Sequence, residues 1–227
     1  PPSPRKTIAL IGHEEAELNL ANSFKTGRIP HALLIGGPRG IGKATLAYRF
    51  ARYVLSKRAT DSYFVQTENR DAPLALPSGD DVGVRVSSGT HADLFILEKG
   101  MNPRTGRSRG EITVGEARQL YHFLSLTPAE SLWRIAVVDA ADEMNRNAAN
   151  AVLKSLEEPP PRTILILVSH APGRLLPTIR SRCQQITLRP LPVQKFNSVV
   201  KSVYSKLTEA ELSILRQLSE GSPGLAL

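Results

Sequence analysis

The stretch from residue 31 to residue 55 constrains the fold of this chain most, because it joins an apolar run, a glycine-rich loop and an amphipathic segment. The run Ala32–Ile35 is long enough for a buried strand, and from Lys43 onward apolar residues recur at helical spacing. The loop between them has four glycines, which accept positive φ angles and let backbone amides face one point: Gly36, Gly37, Gly40 and Gly42. A strand, a glycine loop and a helix N-terminus are the setting of a phosphate-binding loop, in which amides and a lysine hold anionic oxygens.

The P-loop pattern requires Gly, four residues, Gly, Lys and then Ser or Thr, and this loop departs from it at the last position. Ala44 stands there and lacks the hydroxyl that holds Mg²⁺. Thr45 comes one residue late, and one residue turns a side chain by about 100° around a helix. The sequence predicts a phosphate site with a damaged metal position, the alternative being a purely structural glycine turn. The candidate nucleotide-binding residues are Gly37, Gly40, Gly42, Lys43, Ala44 and Thr45, together with Asp139.

Composition narrows the classes of protein to which the chain can belong. Its 227 residues, 41% of them hydrophobic, suffice for one large or two modest domains with a real core. No apolar run approaches the ~18 residues of a membrane span, so we expect none. The single cysteine, Cys183, excludes an internal disulfide and a multi-cysteine zinc site, and it favours a cytoplasmic location. The net charge of +8 favours polyanions such as nucleic acid or nucleotides, although a solvated basic surface explains it equally well.

Strand and helix patterns alternate along the chain, which predicts an α/β fold with a parallel sheet covered by helices on both faces. The predicted strands are residues 32–35, 93–97, 135–138, 163–168 and 186–188. Helices are predicted at residues 14–24, 43–55, 114–124 and 147–156. After Pro192 only helices follow, at residues 193–204 and 210–218, the second opened by a capping box of Thr208 and Glu211. We expect a P-loop domain over residues 1–190 and a small, incomplete helical lid domain over residues 191–227.

Two polar stretches interrupt this alternation. Residues 57–91 are rich in Ser, Thr, Asp, Gly and Pro and lose helical periodicity, which predicts a long, partly disordered surface insertion. Residues 99–110 are polar and carry three arginines, Arg104, Arg107 and Arg109. They predict a hairpin tip or a mobile loop that either contacts nucleic acid or is simply solvated.

The residues that ATP hydrolysis needs are incomplete. The strand at 135–138 ends at Asp139, an acid that can hold Mg²⁺ or can simply cap the strand. The following position, where a glutamate should orient the attacking water, is Ala140. Ala44 and Ala140 together indicate a chain that does not hydrolyse nucleotide well. No catalytic triad or zinc motif replaces these residues, and we expect no metal site.

A third feature is the pair Arg180 and Arg182, which lies between the central strand and the last one. An arginine at an assembly interface can reach a neighbour's nucleotide site and stabilise transition-state charge. Such fingers contribute about 10³–10⁵ in rate. Cys183, next to Arg182, is expected to be a small buried apolar residue.

Motifs spread over most of the chain fit one protein family. They are residues 27–34, 37–45, 127–128, 139–145, 148–160, 176–183 and 221–227. The helix that ends in Leu-Glu-Glu-Pro-Pro and the Ser-Arg-Cys motif are specific in combination. The chain thus resembles the clamp-loader branch of the AAA+ ATPases and, within it, the delta-prime subunits of bacterial DNA polymerase III. The resemblance implies a chain truncated before a helical collar domain, and therefore an isolated fragment that is monomeric.

The resemblance also implies a function, that of the non-hydrolysing stator of a pentameric clamp loader. Arg182 would enter the ATP site of the adjacent motor subunit. The partners implied are motor subunits, the delta subunit, the sliding clamp and primed DNA, all within the polymerase III holoenzyme, a nucleotidyltransferase complex. No cofactor is required, although ATP or ADP can bind without hydrolysis. No zinc is expected, because residues 57–91, where many family members hold a zinc module, lack cysteine.

In motor subunits the lid carries a sensor arginine, and the corresponding position in this chain is Gly224. A strand-end polar sensor falls near Ser169 or His170.

Two other interpretations of the function remain open. One is an active motor ATPase of the same branch or another AAA+ enzyme such as a branch-migration helicase. The other is a direct DNA-binding module that uses the positive charge and the 99–110 loop. A motor should keep a hydroxyl, a glutamate and an arginine where this chain has Ala44, Ala140 and Gly224.

Overall fold

The computed structural model describes residues 3–56, 73–76, 79–101 and 106–227. The strands are β1 (Ala32–Gly36), β2 (Leu94–Leu97), β3 (Arg134–Asp139), β4 (Thr163–Ser169) and β5 (Gln184–Thr187). The helices are α1 (Glu14–Lys25), α2 (Lys43–Leu55), α3 (Asp81–Ser88), α4 (Val114–Ser125), α5 (Arg146–Glu157), α6 (Pro177–Arg180), α7 (Val193–Val203), α8 (Glu209–Leu218) and α9 (Pro223–Ala226). Over the described ranges, no helix combines the length and the apolar character that crossing a bilayer requires.

The strands form one parallel sheet in the order β2-β3-β4-β1-β5. All seven residues of β4 are buried, as expected for the central strand of a sheet covered on both faces. The α/β prediction is therefore confirmed. The last strand begins two residues earlier than predicted, because its first residues are exposed and polar and give no apolar signal.

Alternate residues of each strand serve two separate layers of the core. In β1, Leu33 and Ile35 pack with α1 and α2, together with apolar residues of α7 and α8. Ala32 and Leu34 face the other way and pack with α4 and α5. The sheet is thus sandwiched between helices. Because α7 and α8 share the first layer, the division into residues 1–190 and 191–227 remains a prediction.

Because the strands are parallel, the sequence motifs lie at two opposite edges of the sheet. The glycine loop follows β1, Asp139 ends β3 and His170 follows β4, so these three lie at the carboxyl edge. Glu157 precedes β4 and Arg182 precedes β5, so both lie at the amino edge. The carboxyl edge of an open α/β sheet is where ligands usually bind.

The prediction of an irregular insertion over residues 57–91 is wrong for its last part, which contains α3. Asp80 caps this helix by accepting a hydrogen bond from the backbone N–H of Gly83, and Gly89 ends it with a φ of 74°. Val86 is fully buried and fixes the helix on the core. The helix has eight residues, too few for periodicity to stand out, and one of them is glycine. Residues 57–72, 77 and 78 lie outside the described part of the chain.

The 99–110 stretch has the base of a hairpin. Met101 and Ser108 form an antiparallel bridge, and the Arg109 N–H donates to the Gly100 carbonyl at 2.9 Å. Arg109 also forms an ion pair with Glu116 at 3.6 Å. Residues 102–105, which include Arg104, lie outside the described residues. At its base, the hairpin interpretation of this stretch is confirmed.

The lid helices follow the predicted pattern. The capping box of Thr208 and Glu211 opens α8, since each side chain bonds the backbone N–H of the other residue. Lys195 of α7 binds Glu14 of α1 through a 2.6 Å ion pair. This contact ties the lid to the helix that covers the first layer of the core.

The carboxylate of Asp93, just before β2, organises the loop that leads into β3. It is fully buried and accepts three backbone N–H bonds, from Ala129 at 2.6 Å and from Glu130 and Ser131 at 2.8 Å each. Arg134 lies 3.6 Å away. Burial alone would raise the pKa of Asp93, but the backbone donors and the arginine hold it below the usual value.

We predict that Asp93→Asn lowers the free energy of unfolding at pH 7 by about 2–4 kcal/mol, because a buried network of charge-assisted bonds is broken. The ionised carboxylate contributes fully above its unfolded pKa of about 4, and this contribution is lost as the pH falls through the lower folded value. The difference between wild type and variant should therefore shrink below pH 4. Urea unfolding at several pH values measures it. Asp81→Asn, an exposed carboxylate on α3, is the control, and equal stability of wild type and Asp93→Asn would contradict the prediction.

Candidate functional site

A cavity of about 430 Å³ lies at the carboxyl edge of the sheet, between the glycine loop, the N-terminal segment and the lid helices. It gathers most of the candidate residues. Its lining includes Gly40, Gly42, Lys43, Ala44, Thr45 and Asp139. Gly37 is packed against the end of β5 instead, where an added Cβ would meet the Leu188 carbonyl oxygen at 2.4 Å. The structure therefore brings six of the seven candidate residues together at one cavity, with Gly37 serving the shape of the loop, and their binding of a phosphate stays a prediction.

Lys43, the cation of this loop, is nearly fully buried. Burial lowers its pKa to about 8, although Asp142 and Asp139 act in the opposite direction. Its ammonium donates a hydrogen bond to the Pro38 carbonyl within the same loop. The group that would contact a phosphate is thus engaged by the protein itself.

The acidic groups beside Lys43 come from the turn after β3. Burial, followed by the charges of Glu98 and Glu143, raises the pKa of Asp139 to about 6. Asp142 accepts the backbone N–H of His170 with both oxygens, at 3.0 Å each. This bond connects the ends of β3 and β4 and fixes the wall of the cavity below the glycine loop.

Of the two sensor candidates, only His170 lines the cavity. Ser169 is fully buried, and its hydroxyl accepts a hydrogen bond from the Ala171 N–H at 3.2 Å. Burial lowers the pKa of His170, and the nearby cations Lys43 and Arg39 lower it further. The imidazole is therefore neutral at pH 7 and can offer a hydrogen bond but no charge.

The donors at the glycine loop suit a phosphate, and the loop lacks the hydroxyl that a P-loop offers to Mg²⁺. Backbone amides and Lys43 suit anionic oxygens, but Ala44 has no oxygen for Mg²⁺ and Ala140 is a buried methyl group. Glu143, the nearest glutamate along the chain, forms ion pairs with Lys99 at 3.0 Å and with Arg39 at 3.8 Å. Across the described residues, no group of three His, Cys, Asp or Glu side chains is placed to hold a metal ion.

The lid meets the glycine loop backbone to backbone. The Gly224 N–H donates to the Gly40 carbonyl at 2.8 Å. A Cβ added at Gly224 would lie 2.8 Å from that carbonyl oxygen, and one added at Gly40 would lie 2.6 Å from the Leu225 nitrogen. No side chain, and hence no sensor arginine, fits at residue 224 while the lid is in this position.

The N-terminal segment forms another wall of the cavity, which sequence patterns did not indicate. Arg52 of α2 holds it by donating to the backbone carbonyls of Thr7, at 3.0 Å, and Arg5. The His13 Nε2–H donates to the Ile41 carbonyl of the glycine loop at 3.0 Å. The segment contributes Pro4, Thr7, Ala9, Leu10 and Ile11 to the lining.

Arg182 lies away from this cavity, at the amino edge of the sheet. One terminal nitrogen donates to the Thr178 carbonyl at 3.0 Å, and the other forms an ion pair with Glu157 at 2.9 Å. The side chain is 36% exposed. At about 3.3 Å per residue, the length of β5 and its flanks places the Arg182 backbone roughly 15 Å from the glycine loop. Cys183 is buried, and burial raises the pKa of its thiol to about 11.

A second open groove, of about 660 Å³, runs between α4 and α5. It is lined by two cations, an aromatic ring and two amides, and no acidic residue is among its lining: Arg118, Lys154, Tyr121, Asn147 and Asn150. The Lys154 ammonium lies 4.2 Å from the centroid of the Tyr121 ring. Each of these residues alone is an ordinary polar residue on the surface of a helix, so the sequence did not indicate the groove.

We predict that Gly224→Ala separates the lid from the glycine loop, because the new Cβ would overlap the Gly40 backbone. The expected result is a loss of about 1–3 kcal/mol in the free energy of unfolding. Amide hydrogen exchange should also increase at residue 224, whose N–H donates to the Gly40 carbonyl. Gly173→Ala is the matched control, since nothing lies within 4 Å of its Cβ position. If both variants behave alike, the contact between the two glycines does not hold the lid.

Comparisons with known proteins agree with this architecture. The family model described as DNA polymerase III, delta subunit, matches residues 12–192. The delta' subunit of Pseudomonas aeruginosa is 36% identical over 195 residues, which is 85% of this chain and 53% of that protein. The delta' subunit of Escherichia coli K12 is 36% identical over 212 residues, or 92% of this chain and 57% of that protein.

The chain spans little more than half the length of either relative. Among solved structures, a variant of Thermotoga maritima RuvB superposes with a TM-score of 0.54 at 16% identity, covering 99% of this chain and 63% of that chain. This likeness concerns the fold alone. The chain has the AAA+ fold and belongs to the DNA polymerase III delta-prime subunit family.

Proposed function

We propose that this chain is a clamp-loader subunit that supplies Arg182 to the ATP site of a neighbouring subunit and does not hydrolyse ATP at its own P-loop. The observation that carries the proposal is the position of Arg182 at the sheet edge opposite its own glycine loop. An exposed guanidinium there cannot serve the chain's own site, but it can enter a site that a second subunit brings against this edge. The family supports the same role.

Three features of the carboxyl edge support the absence of hydrolysis. Ala44 offers no metal ligand, and Ala140 offers no base for water. Gly224 packs directly on the glycine loop, where no arginine fits. Any one of these losses would slow a P-loop ATPase, since metal, base and cationic sensor all stabilise the same transition state.

Nucleotide binding without hydrolysis is compatible with this site. Gly40, Gly42 and the start of α2 would hold the phosphates through backbone amides, with Lys43 as the cation. Binding requires the Lys43 ammonium to leave the Pro38 carbonyl and the lid to leave Gly40. ATP or ADP would therefore bind weakly and exchange without turnover.

The proposed partners are the motor subunits and the delta subunit of the loader, the sliding clamp and primed DNA. Loading a clamp on DNA is a cytoplasmic task in bacteria, and we propose that location for this chain. The same assembly would contain DNA polymerase III.

The test is ATP turnover by a reconstituted loader with clamp and primed DNA, comparing wild type with Arg182→Ala. We predict a loss of about 10³-fold at the neighbouring site, because the transition-state charge loses its cation. Arg174→Ala, an exposed arginine after β4, is the control and should leave turnover unchanged. Unchanged turnover in Arg182→Ala, or Mg²⁺-dependent ATP hydrolysis by the lone subunit, would contradict the proposal.

We also propose that the groove between α4 and α5 contacts DNA. Two cations attract phosphates, and Tyr121, Asn147 and Asn150 offer stacking and hydrogen bonds to a backbone or a base. The favouring observation is the absence of any acidic lining residue beside Arg118 and Lys154. A role of the 99–110 hairpin in DNA binding remains a prediction.

The corresponding prediction concerns the double variant Arg118→Ala/Lys154→Ala. DNA affinity of the assembled loader should fall, and the slope of its logarithm against the logarithm of salt concentration should flatten by about 1 to 2. Lys201→Ala/Lys206→Ala removes the same charge from exposed lid positions and is the control. Equal losses in both double variants would point to net charge alone and remove the groove from the interface.

A further inference from the structure

We infer that Glu157 is the positioning residue for Arg182, holding its guanidinium at the subunit surface in the orientation that a neighbouring ATP site requires. The inference rests on the proposed function, since it gives Arg182 a second residue on which its activity depends. Glu157 is the last residue of α5, whereas Arg182 follows α6. Glu157 itself touches neither nucleotide nor metal in this scheme.

The guanidinium is held by two acceptors on different elements. The Thr178 carbonyl, in α6, accepts a hydrogen bond from one terminal nitrogen at 3.0 Å, and the carboxylate of Glu157, the last residue of α5, forms an ion pair with the other at 2.9 Å. An arginine has five N–H donors in one plane. The hydrogen bond and the ion pair restrict the orientation of that plane and leave N–H donors for an anionic oxygen.

Both acceptors stand on backbone that the fold holds in place. Leu156, one residue before Glu157, is buried, and its carbonyl accepts a hydrogen bond from His31 Nε2 at 3.2 Å, just before β1. The Arg182 N–H donates to the Ile179 carbonyl at 3.2 Å, which continues the turn of α6. The backbone that carries both contact partners of the guanidinium is therefore held by ordered elements next to the sheet, and not by a free loop.

The pair contributes to position more than to stability. Its side chains are 36% and 49% exposed, and exposed ion pairs add little to the free energy of folding. A long arginine side chain at the surface otherwise spreads over many rotamers, and restricting them before assembly removes an entropy cost from the catalytic complex. Removing Glu157 should therefore leave the fold intact and loosen the arginine.

The experiment uses the full-length subunit in its reconstituted loader, with clamp and primed DNA. Five variants are compared with wild type: Glu157→Ala, Glu157→Gln, Glu158→Ala, Arg182→Ala and the double variant Glu157→Ala/Arg182→Ala. The difference in ATP turnover between wild type and Arg182→Ala is the Arg182-dependent part of the turnover. Size-exclusion chromatography verifies that every variant assembles, and thermal unfolding of the free subunit verifies its fold.

Glu157→Ala should lower kcat of the Arg182-dependent part by about 10- to 100-fold, because misplacing a catalytic group by about 1 Å can cost about 10²-fold in rate. KM for ATP and the unfolding midpoint should stay unchanged. Glu157→Gln, which keeps an acceptor oxygen without the charge, should recover part of the loss. Glu158→Ala removes the adjacent exposed carboxylate and should match wild type. The double variant should be no slower than Arg182→Ala, because Glu157 acts only through Arg182.

Wild-type or faster turnover in Glu157→Ala would overturn the inference while leaving the proposed function intact. A further loss in the double variant would also overturn it, since Glu157 would then act elsewhere. If Arg182→Ala itself leaves turnover unchanged, the proposed function fails and the inference fails with it.

Discussion

The parallel direction of the five strands is the constraint on which the functional account depends. Hydrogen bonding in register places every strand's carboxyl end at one edge and every amino end at the other. Strands β1 and β5 are parallel neighbours. The glycine loop follows β1 and Arg182 precedes β5, so the loop and the arginine lie at opposite edges of the sheet. A phosphate site and an arginine that cannot meet within one chain suit an assembly in which each site is completed by another subunit.

At the carboxyl edge, groups that could contact a ligand are already engaged by the protein itself. Lys43 is buried and bonded to its own loop, and Gly224 of the lid lies on Gly40 without room for a side chain. Around this cavity, residues 44, 140 and 224 are alanine, alanine and glycine, where a motor subunit is expected to have a hydroxyl, a glutamate and an arginine. At the amino edge, Arg182 is exposed and anchored. In the function that we propose, this chain acts through that exposed arginine and not through its own P-loop.

Sequence patterns predicted the fold well where elements are long and apolar. The run Thr163–Ser169 gave the central strand, and the spacing after Lys43 gave α2, because burial on both faces or on one stripe leaves a clear signal. The short helix α3 was missed. So were contacts between distant segments, such as Gly40 with Gly224 and Glu157 with Arg182, since neither residue type nor spacing reports a partner far along the chain.

The central claim is that Arg182 acts on a neighbour while the chain's own P-loop does no chemistry. The most direct measurement is a structure of the assembled loader, with clamp and primed DNA, trapped with a slowly hydrolysed ATP analogue and Mg²⁺. The account predicts the Arg182 guanidinium within about 3 Å of the neighbour's γ-phosphate oxygens, still bonded to Glu157. It also predicts no Mg²⁺ coordinated at Ala44. Arg182 left in solvent, with a complete Mg²⁺–nucleotide site on this chain's own loop, would contradict it.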